Sequence, residues 1–319
     1  MSHLLVEGPP GSGRTELLRA LAASLAVGAR PDDLGLLLVD GAGGMRGEGL
    51  AALTELPHVT EHLVASDPVR MRAFAQALGA ELKRRAELLG PLSFAQWHEA
   101  HRDREEGGEH GEQQQGGAPL SATRTLRLRP GGQRPAQDVR RAPSPLPRLA
   151  VLVDDLDALV APALGSPGRP AAGSVMRALE AIARDGERLG VHLLAASGAH
   201  DRTASTELAR TVRLRAVLDA PPTAPAPEDP TPGRGRLVGP DGATPFQAGR
   251  VTGRIPRTAT RRPTVAPLEW ERMGDPPARR PLRELGNGPT DLALLASAMD
   301  RAARSVAAAP VAPLSPVHP

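Results

Sequence analysis

The amino-acid sequence predicts an α/β protein with a mainly parallel sheet flanked by helices, and three observations carry that expectation. Apolar strand-like runs alternate with helical apolar spacing from residue 3 to about 90, and again from near 148 to about 218. Crossover helices between parallel strands leave that pattern. A glycine-rich loop stands between the first run and the first helix, and a hairpin pattern with an Asp-Gly turn closes the ordered part of the sequence.

His3-Leu4-Leu5-Val6 reads as a buried strand, and Glu16 to Leu25 has helical spacing. Leu34 to Asp40 (L-G-L-L-L-V-D) is a second buried strand. Pro68 to Leu89 places Val69, Met71, Phe74, Ala75, Leu78, Leu82 and Ala86 on one helical face. Between His101 and Pro147 periodicity is lost in favour of Gly, Gln, Pro and Arg, which predicts a disordered insert. Leu149 to Asp155 (L-A-V-L-V-D-D) resumes the order as a strand. A helix from about Ala172 to Leu189, a strand from Val191 to Ser197 and another from Leu214 to Leu218 follow. Pro221 to Pro232 is a proline-rich loop, and Gly235 to Val251 folds back about Pro240-Asp241-Gly242 as a hairpin. Beyond Gly253 the sequence is an Arg- and Pro-rich strap. Thr290-Asp291 then caps an amphipathic helix, Leu292 to Val306, before a Pro/Ala tail expected to fray.

The chain has 319 residues, enough for a real core. Tyrosine is absent, and three phenylalanines and two tryptophans leave the core to Leu, Val, Ala and Ile. So few aromatic rings argue against a stacking platform for single-stranded nucleic acid. With no cysteine there is neither a disulfide framework nor a thiolate metal site. The formal charge is only +3 and Lys83 is the sole lysine, so the basic character is a matter of arginine usage and gives little counterion-release drive toward DNA. Every long apolar run is broken by Asp, Arg or Pro, so no segment is expected to span a bilayer. His98, His101 and His110 lie beside several glutamates, but at the edge of the insert, a poor place for a metal site.

Gly8-Pro9-Pro10-Gly11-Ser12-Gly13-Arg14-Thr15 matches a phosphate-binding P-loop at every position except the lysine, which is Arg14. The strand before it and the helix after it supply the context that makes the match specific. Glycines let main-chain N–H groups converge on phosphate oxygens, the helix N-terminus adds its positive end, and Thr15 offers a hydroxyl for Mg²⁺. Arg14 keeps the charge but presents it as a planar fork on a longer stem. Asp154, ending its strand, stands where a carboxylate orients Mg²⁺, and Asp155 where a base positions the attacking water. Aspartate there is one methylene short of the usual glutamate, a deficit that catalytic geometry tolerates badly.

Five segments in order carry a resemblance: residues 3–19, Leu36 to Gly44, Leu146 to Leu159, Gly186 to Ser197, and P-G-R-G-R-L with T-P-F-Q-A-G-R-V after residue 231. Together they are similar to the FtsK/SpoIIIE P-loop ATPase domain, closer to the modules of EccC-type type VII secretion ATPases and actinobacterial FtsK-domain proteins than to chromosome translocases. The resemblance covers residues 3 to 253 apart from the insert. It implies a RecA-like P-loop NTPase fold, ATP and Mg²⁺ as ligands, assembly with other such modules or protomers, and transport of DNA or protein. It also implies that further strands precede His3, so that Met1 falls inside a larger domain. The division expected is a P-loop domain over 1–255, with its insert at about 101–147, and a strap, helix and tail over 256–319.

The departures fall on the chemical positions. Lysine is replaced by Arg14 and the glutamate by Asp155. The family's D-F-K-G-G is Asp40-Gly41-Ala42-Gly43-Gly44, and its A-T-Q-R-P sensor keeps only the hydroxyl of Ser197. Three readings follow. In the first, the chain is an ATP-binding module of weak or absent hydrolysis that serves assembly or regulation in a translocase or secretion chain. In the second it is a working ATPase motor, with Asp155 and Ser197 catalytic. In the third it is a nucleotide-independent peptide-binding domain. DNA is the partner the composition supports least. Arg184 and Arg188, on the helix before Val191, are candidates for fingers reaching a neighbour's phosphate. A cytoplasmic location is expected, with any membrane tether supplied by a larger chain or a partner.

Overall fold

The computed structural model describes residues 2–42, 49–101, 146–163, 166–170, 172–198, 200–221, 232–258, 270–274 and 284–314. Eight strands form its main sheet: β1 (Leu4–Glu7), β2 (Leu34–Asp40), β3 (Val59–Val64), β4 (Arg148–Asp154), β5 (Val191–Ser197), β6 (Leu214–Leu218), β7 (Arg234–Gly239) and β8 (Gly242–Gln247). Their order is β8-β7-β6-β1-β5-β4-β2-β3. Pairing is parallel from β6 through to β3, whereas β7 and β8 run antiparallel and form the expected hairpin. The mixed sheet of eight strands, mostly parallel and flanked by helices, is the architecture the alternating pattern predicts.

β1, β2 and β5 are buried along their whole length, and β4 at all but Arg148. Strands covered on both faces read as continuous apolar runs, which is why these four are visible in the sequence. β3 is different. Val59-Thr60-Glu61-His62-Leu63-Val64 mixes polar and apolar residues and buries only Leu63 fully, as an edge strand does; the sequence pattern does not single it out.

One face of the sheet is covered by α2 (Pro68–Leu89) and α3 (Gly173–Leu189), with Phe74, Leu78, Leu179 and Ile182 in the core. The other is covered by α1 (Arg14–Val27), the 3₁₀ turn Ala51–Glu55 and the C-terminal helix α4 (Asp291–Ser305), with Leu18, Ala22, Leu53, Leu292 and Ala296 buried together. Asp67 caps α2 by accepting from Val69 and Arg70 N–H, and Thr290 caps α4 by accepting from Ala293 N–H. α3 ends at Gly190, whose φ of 72° needs glycine and whose bare Cα leaves room for the Phe94 ring. The tail does not fray over its described part. Val311 N–H donates to Pro31 O at 3.1 Å and the Val311 side chain fills the space left by Gly35.

The predicted insert falls on residues 102–145, outside the described residues, as do residues 222–231 of the proline-rich loop and most of the strap. The edges of the insert are held firmly: Leu146 is fully buried, and His98 Nε2 bonds to its carbonyl at 2.9 Å.

Candidate functional site

After β1 the chain passes through α1 and over β5 and β4 to reach β2, whereas after the adjacent β5 it runs back past β1 to β6, so the connections from these two neighbours leave in opposite directions. Ligands of open α/β sheets bind in the crevice beyond the strand C-termini at such a point. Gly8 to Arg14 lies there. Gly11 and Gly13 have φ of 80° and 96°, the left-handed region that favours glycine, and α1 starts at Arg14 directly behind them. A cleft of about 270 Å³ is lined by Pro9, Gly11, Ser12, Gly13, Arg14, Thr15, Glu16 and Arg19.

Three strand ends meet the loop. Asp40 and Asp154 are level with each other in the β2–β4 register, and both are buried. Thr15 Oγ1 donates to Asp154 Oδ2 at 2.7 Å, so the two expected Mg²⁺ residues are in direct contact. Asp154 Oδ1 is buried without a hydrogen-bond partner. Burial pushes the Asp154 carboxyl up to about 6, and the nearby Asp155 and Asp40 charges add to the rise against the Thr15 hydrogen bond. A bound cation would reverse that balance. The orphaned oxygen, the adjacent hydroxyl and the raised pKa fit this pair to Mg²⁺. When bound, the ion would supply positive charge against phosphate oxygens.

Arg14 does not extend freely into the cleft. Its Nη1 donates to the Gly8 carbonyl, its Nη2 lies 3.6 Å from Asp155 Oδ1, and Gly198 at the end of β5 packs against the guanidinium so closely that a Cβ there would stand 2.6 Å from Nη2. Asp155 takes φ 49°, a left-handed conformation uncommon for a residue other than glycine. It precedes the short helix Leu156–Val160. Burial raises its pKa, the Arg14 charge opposes this, and Asp157 and Asp40 add to it.

Ser197 is buried at the end of β5 and shares hydrogen bonds with Thr203 Oγ1 at 3.2 Å and Asp157 Oδ1 at 3.4 Å. Asp157 also accepts from Gly198 N–H at 2.8 Å. The Ser197 hydroxyl is thereby tied to a carboxylate that sequence reasoning passed over.

Other residues not anticipated shape the site. Glu16 accepts from Val251 N–H at 2.7 Å and from Thr252 N–H and Oγ1 at 2.8 Å, fastening α1 to the segment after β8. Gly233 N–H donates to Ser12 O at 2.7 Å, so the start of the hairpin braces the loop. Asp40 accepts from Leu50 N–H at 2.8 Å and contacts His62 Nε2 at 2.7 Å. Arg19 holds the Gly49 carbonyl through Nε and Nη2. A polar residue one step past the P-loop threonine was the available signal for Glu16; the others depend on contacts distant in sequence. Arg184 pairs with Asp185 and Glu207, and Arg188 donates to Gly90 O and Leu92 O. His101 stacks on Trp97, and His110 lies outside the described residues.

The model of the FtsK/SpoIIIE family matches residues 1–210. The ESX secretion system protein EccC of Thermomonospora curvata is 26% identical over 279 residues, 82% of this chain and 18% of that protein. The ESX-4 secretion system protein EccC4 of Mycobacterium tuberculosis is 38% identical over 87 residues, 27% of this chain and 7% of that protein. The chain thus spans less than a fifth of the length of these relatives. Among solved structures, the cytoplasmic domain of the T. curvata type VII secretion ATPase EccC superposes with a TM-score of 0.59 at 22% identity, over 99% of this chain and 29% of that one. EssC (ATPases 2 and 3) from Geobacillus thermodenitrificans gives 0.58 at 16% identity, over 100% of this chain and 47% of that one. At those identities the superpositions speak for the fold alone. The family match covers about two-thirds of the sequence, and on it this chain belongs to the FtsK/SpoIIIE family.

Proposed function

We propose that this chain is an ATP- and Mg²⁺-binding FtsK/SpoIIIE-type module with slow or absent hydrolysis, acting as an assembly or regulatory part of a secretion-type ATPase chain. One observation carries the reading: the main-chain cradle and the Thr15–Asp154 contact are intact, while Arg14 and Asp155, the residues that replace the usual catalytic pair, are engaged with each other. A carboxylate held by a guanidinium and raised in pKa by burial is poorly placed to polarise an attacking water. That argues against the motor reading, in which Asp155 and Ser197 would act on the reaction. Thr15 and Asp154 would hold Mg²⁺, and residues 8–15 would hold the phosphates.

Partners on this reading are other modules or protomers of the same kind and a protein substrate, rather than DNA. No described helix is long and apolar enough to cross a membrane, so a membrane tether would come from a larger chain or a partner, with the module on the cytoplasmic side. Equilibrium binding of labelled ATP with Mg²⁺ tests the binding claim, and absence of a saturable signal at millimolar nucleotide rejects it. Steady-state phosphate release tests the other half: a rate that Arg14→Ala abolishes would return the chain to the motor class.

A further inference from the structure

The Arg14–Asp155 pair spans the gap between the phosphate loop and the end of β4, and Gly198 closes the same gap from β5. In a P-loop, the cation at the position of Arg14 reaches the β- and γ-phosphates, and the residue after the strand-end aspartate faces the γ-phosphate. A third phosphate therefore needs the space this pair bridges. We propose that the site prefers a nucleoside diphosphate to the corresponding triphosphate, with the Arg14–Asp155 pair acting as the specificity-determining element. This deepens the nucleotide-binding reading and rests on it.

Three features support the proposal. The guanidinium is held by the Gly8 carbonyl and the Asp155 carboxylate, Gly198 leaves no room for a Cβ beside it, and its side chain is only 15% exposed. Moving it toward a γ-phosphate would forfeit both contacts. The fixed charge beyond the cradle is also predominantly negative, since Asp40, Asp154, Asp155 and Asp157 converge there, and Arg19 is already committed to Gly49 O and Glu16. A γ-phosphate that displaced Arg14 would bring its own charge against an uncovered Asp155 carboxylate, and like charges at such range repel. A diphosphate needs neither change. Its terminal phosphate is served by the loop amides and the N-terminus of α1, and the pair stays closed.

Competition on the full chain decides the matter, with fluorescent ADP displaced by unlabelled ADP or by a non-hydrolysable ATP analogue, both with Mg²⁺. ADP is expected to compete at about tenfold lower concentration than the triphosphate. Asp155→Asn keeps a residue that tolerates the left-handed conformation but removes the charge, and should bring the two ligands to within about threefold. Arg14→Lys, with a more compact ammonium, should shift the ratio the same way. Triphosphate binding as tight as diphosphate in the parent chain, or an unchanged ratio in Asp155→Asn, overturns the proposal and leaves nucleotide binding standing. No binding of either ligand overturns both.

Discussion

The carboxylate of Glu16, one residue past the phosphate-loop threonine, accepts both main-chain N–H groups and the hydroxyl offered by Val251 and Thr252. The two segments are joined across 236 residues of sequence at Thr252. Burial works to raise the Glu16 pKa, but the Thr252, Val251 and Arg19 hydrogen bonds outweigh it, so the folded value lies below the usual one. A depressed acid contributes stability above its unfolded pKa and loses it as pH falls through the folded pKa. Glu16→Ala strands three donors and should cost about 2–3 kcal/mol at neutral pH, with the difference from the parent shrinking in acid. Thermal melts from pH 7 down to pH 3 measure this. Trypsin should also cut faster at Arg250 and Arg254, both exposed next to the clasp; unchanged cleavage and melting would show that the clasp holds nothing.

Asp154 behaves in the opposite sense. Its folded pKa of about 6 lies above the ordinary aspartate value of 3.8, so the folded state holds its proton more tightly than the unfolded chain does. Stability from this group is full below the lower value and is lost as pH rises toward 6. By pH 7 the charged, nucleotide-free form carries a penalty on the order of 3 kcal/mol. Asp154→Asn should therefore raise the melting temperature of the nucleotide-free protein at pH 7 and flatten its dependence between pH 4 and 6. The same variant should weaken the Mg²⁺-dependent part of nucleotide binding. A variant that melts no higher at pH 7, or keeps the parent's pH slope, would mean that the strain lies elsewhere.

Arg85 places a wholly buried guanidinium on α2, far in sequence from what it holds. It donates to Leu189 O at 3.0 Å, Pro147 O at 2.6 Å and Glu81 Oε1 at 2.7 Å, tying the end of α3 to the entry of β4. Removing it takes the donor from the Leu189 and Pro147 carbonyls and empties buried space, while Glu81 keeps Arg84 through Nε at 2.7 Å and Nη2 at 2.8 Å, so Arg85→Ala should cost about 2–4 kcal/mol. The double variant Glu81→Gln with Arg85→Met should recover part of that loss, because the methionine chain refills the buried space that alanine leaves empty. Denaturant midpoints for both variants decide it, and a double variant weaker than Arg85→Ala would contradict the account.

Much of the sheet was legible because β1, β2, β4 and β5 are buried on both faces, which forces unbroken apolar runs such as Leu34 to Val39. β3 escaped because an edge strand needs to bury only one residue, here Leu63, after the polar run Thr60, Glu61 and His62. The phosphate loop was legible for a different reason: the left-handed φ angles of Gly11 and Gly13 restrict residue choice locally. What surrounds Arg14 was not. Gly198, Asp157 and Gly233 act on the loop through contacts between residues far apart in the chain, and none has a spacing that announces it. The docked tail was missed because alanine and proline look unstructured until a surface such as Pro31 and Gly35 receives them.

Two glycines beside the site separate a change in Arg14 from a change in the backbone. At Gly198 an added methyl would meet the far end of the Arg14 side chain, 2.6 Å from Nη2, and the long side chain can move. Gly198→Ala should cost under about 1 kcal/mol in stability while prising Arg14 off Asp155. At Gly41, past the end of β2, a methyl would collide with the Asp155 carbonyl oxygen and stand 2.9 Å from that of Asp154, main-chain atoms that cannot yield singly. Gly41 N–H also donates to Asp154 O at 2.9 Å, so the strand ends are locked together there. Gly41→Ala should cost about 2 kcal/mol or more and disturb the Thr15–Asp154 contact. The expected pattern is a stable Gly198→Ala with altered discrimination between di- and triphosphate, and a less stable Gly41→Ala with weaker Mg²⁺-dependent binding of both. If Gly198→Ala instead unfolds the protein at ambient temperature, β5 has less room beside Arg14 than these distances imply.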